Sequence, residues 1–285
     1  IRALAVFSSD ALSSVAYGPE QVLLTLMAAG AAAMALGIPI TIAVAVLVVI
    51  VAVSYRQTIY AYPSGGGSYI VAKDNLGVLP GLVAAAALLV DYVLTVAVSI
   101  SAGVSAIVSV WPELDTERVP IGIAFIALIT MANLRGVRES GALFAVPTYV
   151  FIFSVLGTIA VGIVRTIVLG QPLVVEGVTP AHVHSEPLTL WLILRAFASG
   201  SSTLTGIEAV ANGVPAFKPP ESRNAAITLS WMAGLLASMA LGVAFLAHQL
   251  QAIPSETETV LSQIGRTVLG GMGVPYLVLQ ASTML

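Results

Sequence analysis

The chain has 285 residues, of which 58% are hydrophobic and only 9% charged, against about a quarter charged residues in ordinary soluble domains. With a mean hydropathy of +1.00, a soluble globule is excluded. The net charge of -3 decides nothing by itself, and the lack of cysteine excludes disulfide frameworks, thiolate metal sites and cysteine nucleophiles.

No Lys, Arg, Asp or Glu occurs between Glu20 and Arg56, between Tyr92 and Pro112, between Ser140 and Val164, or between Asn224 and Ser255. Each stretch is long enough for the roughly 20 apolar residues of a membrane-spanning helix. Turn signals and charge clusters predict spans near 1–29, 38–55, 78–110, 119–134, 140–169, 188–214, 224–250 and 271–285, the last one cut short. A transmembrane barrel would show short alternating segments instead. The chain starts without Met and stops inside an apolar run, so it reads as part of a longer protein.

Connections then alternate between the two sides of a membrane. Arg2, Arg56, Lys73, Arg135, Arg138, Lys218 and Arg223 fall on the side of the N-terminus, and Arg118, Arg165 and Arg266 on the other. The excess of Lys and Arg predicts a cytoplasmic N-terminus in a multi-pass protein of the plasma membrane. Acidic residues are distributed the other way, with only Asp74, Glu139 and Glu221 on the inner side.

Asp10, Glu20, Asp91, Arg195 and Glu208 remain, all within spans. Intramembrane charges cost roughly 2.5–3.5 kcal/mol at a helix centre on insertion scales and mark cavities, partners or pathways. The first span runs Phe7-Ser8-Ser9-Asp10-Ala11-Leu12-Ser13-Ser14-Val15-Ala16-Tyr17-Gly18-Pro19, too polar for a continuous spanning helix. Ser8 or Ser9 is expected to cap a helix beginning near Asp10. The sixth span is interrupted at Ser199-Gly200-Ser201-Ser202-Thr203-Leu204-Thr205-Gly206-Ile207-Glu208. Five spans separate the interruptions, so the two helices run in opposite directions. Inverted repeats with broken helices at corresponding positions form substrate sites in secondary transporters. The alternative is that these small residues only ease helix packing. On the third span, Asp91, Thr95 and Ser99 recur at i, i+4 and i+8, and Asp91 lies roughly 20 Å from the start of its span.

These broken helices, together with Tyr62-Pro63-Ser64-Gly65-Gly66-Gly67-Ser68-Tyr69 and Gly213-Val214-Pro215-Ala216-Phe217, resemble the amino acid–polyamine–cation permease superfamily over essentially the whole chain. The Ser-Ser-Asp-Ala-Leu-Ser-Ser run at 8–14, Tyr17-Gly18-Pro19-Glu20-Gln21 and the segment from Ala216 to Asn224 are similar to bacterial potassium importers of the KimA type. Asp10, Ser13, Ser14 and Tyr17 also resemble the first-helix motif of the potassium uptake permeases. The resemblance implies an all-α membrane protein of the leucine-transporter type, with five-plus-five inverted repeats and helices 1 and 6 broken. Residues 1–169 would be the first repeat and 188–285 an incomplete second repeat ending in helix 8. It also implies a homodimer and a soluble C-terminal region.

The chemistry favours a cation. An amino acid carboxylate would meet Asp10 at the first break, whereas hard oxygen ligands suit potassium. The expected cation-binding residues are Asp10, Tyr17, Asp91, Thr95, Ser99 and Thr205, with Asp10 and Asp91 as the carboxylates that hold potassium. Three carboxylates exceed the charge of one potassium ion, so one must be neutral part of the time. Glu208, expected on regular helix just past the second break, is the candidate proton-coupling residue. Arg195 lies too far along the helix to pair with it.

The expectation is therefore potassium–proton symport, with an amino acid or polyamine permease as the alternative and a passive channel as the weakest reading. Gly65-Gly66-Gly67 lacks the Gly-Lys-Ser/Thr sequence of a phosphate loop and reads as a gate or turn, and His182 and His184 lack a third ligand. No enzyme activity, cofactor or nucleic-acid partner is expected; the partners are potassium, protons and the lipid bilayer.

Overall fold

The computed structural model describes residues 2–134 and 137–284, with side chains for all of these except 2, 3, 5, 6 and 137–144. Arg135 lies outside the described residues, as do the side chains of Arg2, Arg138 and Glu139. The described residues are mostly helical, and no strand occurs among them. Long continuous helices are α3 (Gly37–Ala61), α5 (Val78–Val110), α7 (Val137–Ile163, followed by a π turn Val164–Val168) and α10 (Glu221–Gln249). Four segments, Ala31–Ala61, Val78–Val110, Ala145–Val168 and Glu221–Gln249, are long and apolar enough to cross a membrane. Shorter helices are α1 (Arg2–Ser13), α2 (Gly18–Met27), α4 (Gly67–Leu76), α6 (Arg118–Asn133), α8 (Leu190–Gly200), α9 (Ala209–Asn212), α11 (Val260–Leu269) and α12 (Val274–Met284).

The centre of the fold is α10. Leu229, Met232, Leu236, Met239, Val243 and Leu246 are all at most 2% exposed, and their alternating spacing of three and four places them on one helical face. This face packs chiefly against α3, with α1 and α7 alongside. The outer face of α3 instead remains exposed and apolar at Ile42, Val46, Val49, Ile50 and Val53, as expected of a surface solvated by lipid.

The first interruption lies later than its serines suggest. Ser8 does not cap a helix at Asp10: its hydroxyl donates to the Leu4 carbonyl inside α1, so the helix continues to Ser13. The break falls at Ser14–Tyr17, where Ser13 and Ser14 hydroxyls donate to the carbonyls of Asp10 and Ala11, at 2.7 and 2.6 Å. These bonds compete with the helical ladder. Pro19, within the first turn of α2, has no N–H to carry the ladder across the gap.

The second break follows similar chemistry. Thr203 and Thr205 donate to the carbonyls of Gly200 and Ser202 at 2.7 and 3.0 Å. Thr205 then turns to φ -56°, ψ 139° and Gly206 to φ +79°, a sequence of angles that calls for glycine in the second position.

Side-chain links segregate by side. Arg118 joins Asp115 and the Glu256 carbonyl; Arg266 joins Glu258 and the Glu176 carbonyl; His182 reaches Glu256; and Arg195 pairs with Glu186 at 3.2 Å. Apart from Arg195, which lies within the expected sixth span, these links join residues of the expected outer side to one another. Helix α11 packs against α7, α10 and α12. Its N-terminus is pinned by the Glu20 carboxylate, which accepts from Val260 N–H at 3.2 Å, and by Ser109, which accepts from Thr259 N–H at 3.0 Å.

Candidate functional site

The two interrupted helices lie antiparallel against each other along their whole length. From one end to the other, Phe7 stacks on Phe217 with ring centroids 4.7 Å apart, Ser14 shares its one hydroxyl hydrogen between the Ala11 carbonyl and the Thr203 carbonyl, the latter at 2.8 Å, and Tyr17 meets Thr205 at 2.8 Å. Thr25 then donates to Ser199 at 3.3 Å, and Glu186 N–H donates to the Ala28 carbonyl at 2.9 Å. As the first partner climbs from 7 to 28, the second falls overall from 217 to 186, with 203 and 205 both facing the first break. The two breaks therefore meet at one depth.

Glycines allow this close approach in both directions. A Cβ on Gly18 would collide with the Thr203 hydroxyl. A Cβ on Gly206 would stand 2.5 Å from Asp10 Oδ2 and 3.0 Å from the Ala11 nitrogen. Each break thus receives a polar side chain of the other against bare backbone.

Helix α5 supplies the third wall. The Asp10 carboxylate feels the charge of Asp91, and the Ser99 hydroxyl lies beside it without completing a hydrogen bond. Thr95 is buried on the same face of α5. Glu208 is 7% exposed and within electrostatic range of both Asp91 and Asp10. Three carboxylates from three elements therefore converge, together with the Tyr17, Thr205, Thr95 and Ser99 hydroxyls.

The hydrogen-bond accounting is incomplete at this place. Thr95 Oγ1, Ser99 Oγ, Ser202 Oγ and Glu208 Oε1 are buried without a partner among the described residues. Buried polar groups are nearly always satisfied, and exceptions call for a specific explanation. Clustered around acidic residues, the lone pairs of these oxygens can coordinate a hard cation, and the neighbouring carboxylates disfavour an anion.

A family model described as "Amino acid permease" matches residues 1–273. The chain belongs to the amino acid permease family. It is 49% identical to the "Potassium transporter KimA" of Bacillus subtilis (strain 168) over 290 aligned positions, which take in 100% of this chain and 47% of that protein. The permease chain thus spans about half the length of this curated relative. An all-α membrane protein with helices 1 and 6 broken follows from the family and the helices together.

Within the permease, Asp10, Tyr17, Asp91, Thr95, Ser99, Thr205 and Glu208 all lie around the joined breaks. Glu208 is not on regular helix as expected. It belongs to the turn immediately before the four-residue α9, because the chain needs Thr205 to Glu208 to recover from the Gly206 reversal.

Four residues were not anticipated. Tyr55 and Ser68, whose hydroxyls are 3.4 Å apart, line a cavity of about 330 Å³ with Asp91 and Glu208. Tyr92 accepts from Asn212 Nδ2 at 2.6 Å, and the Asn212 carbonyl accepts from Gly66 N–H at 3.4 Å. Asn212 thereby connects the second broken helix to the glycine turn, whose residues 65, 66 and 67 have φ of +78°, +90° and +45°. The glycines were visible in the sequence; their partner Asn212, far along the chain, was not.

Proposed function

We propose that this chain forms the substrate-binding part of a secondary active transporter that takes up potassium together with protons. The support is the group of partnerless buried oxygens, Thr95 Oγ1 and Ser99 Oγ above all, on the α5 face that carries Asp91 and beside Asp10. Two carboxylates and several neutral oxygens can replace the hydration shell of a monovalent cation, while an amino acid carboxylate would be repelled by Asp10. What the Bacillus subtilis relative is named for transporting is the same kind of substrate.

In this reading Asp10 and Asp91 hold the ion, with Tyr17, Thr95, Ser99 and Thr205 completing the shell. Glu208 carries the coupled proton: it shares the cavity bordered by Tyr55 with Asp91 and lies within electrostatic range of Asp10, so its charge state responds to the occupied site. The antiparallel pair of broken helices comes from two inverted repeats, residues 1–169 and an incomplete 188–285, whose relative motion exposes the site to either side in turn. The N-terminus is cytoplasmic in the plasma membrane, the protein works as a homodimer, and neither a cofactor nor enzymatic chemistry enters.

A polyamine or other organic cation is the second reading, favoured by the cavity beside Asp91 and Glu208, which exceeds the space of a single ion. Uptake into proteoliposomes containing the complete protein separates the two. Rubidium accumulation unaffected by amines and amino acids supports potassium transport; uptake of labelled putrescine with no rubidium flux overturns it.

A further inference from the structure

We propose a binding site for an anionic phospholipid in the groove between α3 and α10, on the side of the pair turned away from the cation site. The groove has a volume of about 430 Å³ and is lined by Arg56, Tyr60, Ile227, Ser230, Trp231 and Gly234. Its position along α3 decides its character. The exposed apolar stripe of Ile42, Val46, Val49 and Val53 continues in steps of three and four to Arg56 and then Tyr60. One helical face therefore passes from hydrocarbon contacts to a guanidinium and a phenol within two turns, the transition found where acyl chains give way to headgroups.

The chemistry of the groove is that of a phosphate ester on an apolar tail. Arg56 is exposed and has no ion pair among the described residues, so its planar fork of donors is free for a phosphate. The Tyr60 phenol flanks it, while the Ser230 hydroxyl already donates to the Ala226 carbonyl at 2.9 Å. Trp231, 64% exposed, and Ile227 offer the apolar wall for an acyl chain, and open space beside Gly234 leaves room for it. Arg223 lies one turn before Ile227 on the same face of α10, also exposed. A headgroup with net negative charge satisfies these cations; a zwitterionic headgroup brings a positive charge of its own. With the orientation proposed above, the site faces the inner leaflet, and it does not depend on which substrate is carried.

Reconstitution of the complete protein with brominated lipids tests the site. The Trp231 signal is isolated as the difference between the parent and Trp231→Phe. Brominated phosphatidylglycerol should quench it with about fivefold higher apparent affinity than brominated phosphatidylcholine, the effect expected of one arginine at a headgroup. Arg56→Gln should remove this preference, and Arg56→Lys should keep part of it. Trp191, 74% exposed at the start of α8, should respond equally to both lipids. Inorganic phosphate should not relieve the quenching; relief would mean that a free anion occupies the groove. Equal quenching of Trp231 by the two lipids, or a preference that survives Arg56→Gln, would overturn the proposal. Protection of Trp231 from both lipids would also overturn it and would point to a second copy of the chain on this face.

Discussion

The Tyr17 phenol lies 2.8 Å from the Thr205 hydroxyl, and this pair joins the first helix break to the second. Each group sits at the end of its own interruption: Tyr17 just before Gly18 begins α2, and Thr205 just before Gly206 reverses the chain. Removing either hydroxyl should cost about 1 kcal/mol of net hydrogen bonding. Thr205→Val, which also removes the bond to the Ser202 carbonyl, should therefore lower the unfolding midpoint in detergent more than Tyr17→Phe does, and the double variant should be little worse than Thr205→Val alone. A fully additive loss would show that the two hydroxyls do not act as a pair.

Gly206→Ala tests how close the two broken helices must come. Alanine at φ +79° carries a backbone penalty of about 1–2 kcal/mol, and its methyl would also displace the Asp10 carboxylate. Gly170→Ala is the control, since φ is +60° there and a Cβ would meet nothing within 4 Å. Rubidium uptake should be lost in Gly206→Ala and retained in Gly170→Ala. Equal activity of the two variants would dissociate the contact from function.

The architecture was legible in the long charge-free stretches, because a membrane allows no other use of them. The two breaks were legible because serine, threonine and glycine clusters inside such stretches have few structural alternatives. Their exact position was not, since a serine bonding back to i-4, as Ser8 does, looks in sequence like a serine capping a helix. Helix α4 escaped notice because it follows three glycines and carries Lys73, Asp74 and Asn75. Helix α11 did so because it is only 10 residues long and lies between polar segments. Tyr92 was overlooked as the immediate neighbour of Asp91, about 100° around the helix from it. Only the packing of α9 against α4 and α3 reveals that Asn212 reaches Tyr92 and the glycine turn.

Asn212 ties the second broken helix to Tyr92 and to the glycine turn. In Asn212→Ala the bond to Tyr92 is lost and the packing against Gly67 is loosened. Amide exchange over residues 62–68 should accelerate about fivefold, as expected for about 1 kcal/mol of lost local stability. Unchanged exchange there would show that the turn is held by its own backbone.

Glu208→Gln should separate ion binding from coupling. The amide mimics the protonated carboxyl, so rubidium should still bind while an imposed proton gradient no longer drives its accumulation. Gradient-driven accumulation equal to that of the parent would assign the proton to another group.

The central claim, that a cation is held between Asp10 and Asp91 where the two breaks meet, is tested most directly by rubidium binding to the purified complete protein carrying Asp10→Asn or Asp91→Asn. Loss of one charged ligand, worth about 1.5–3 kcal/mol, should weaken binding by roughly 10- to 100-fold in either variant, with the unfolding midpoint in ion-free buffer maintained. Rubidium affinity equal to that of the parent in both variants would contradict the account.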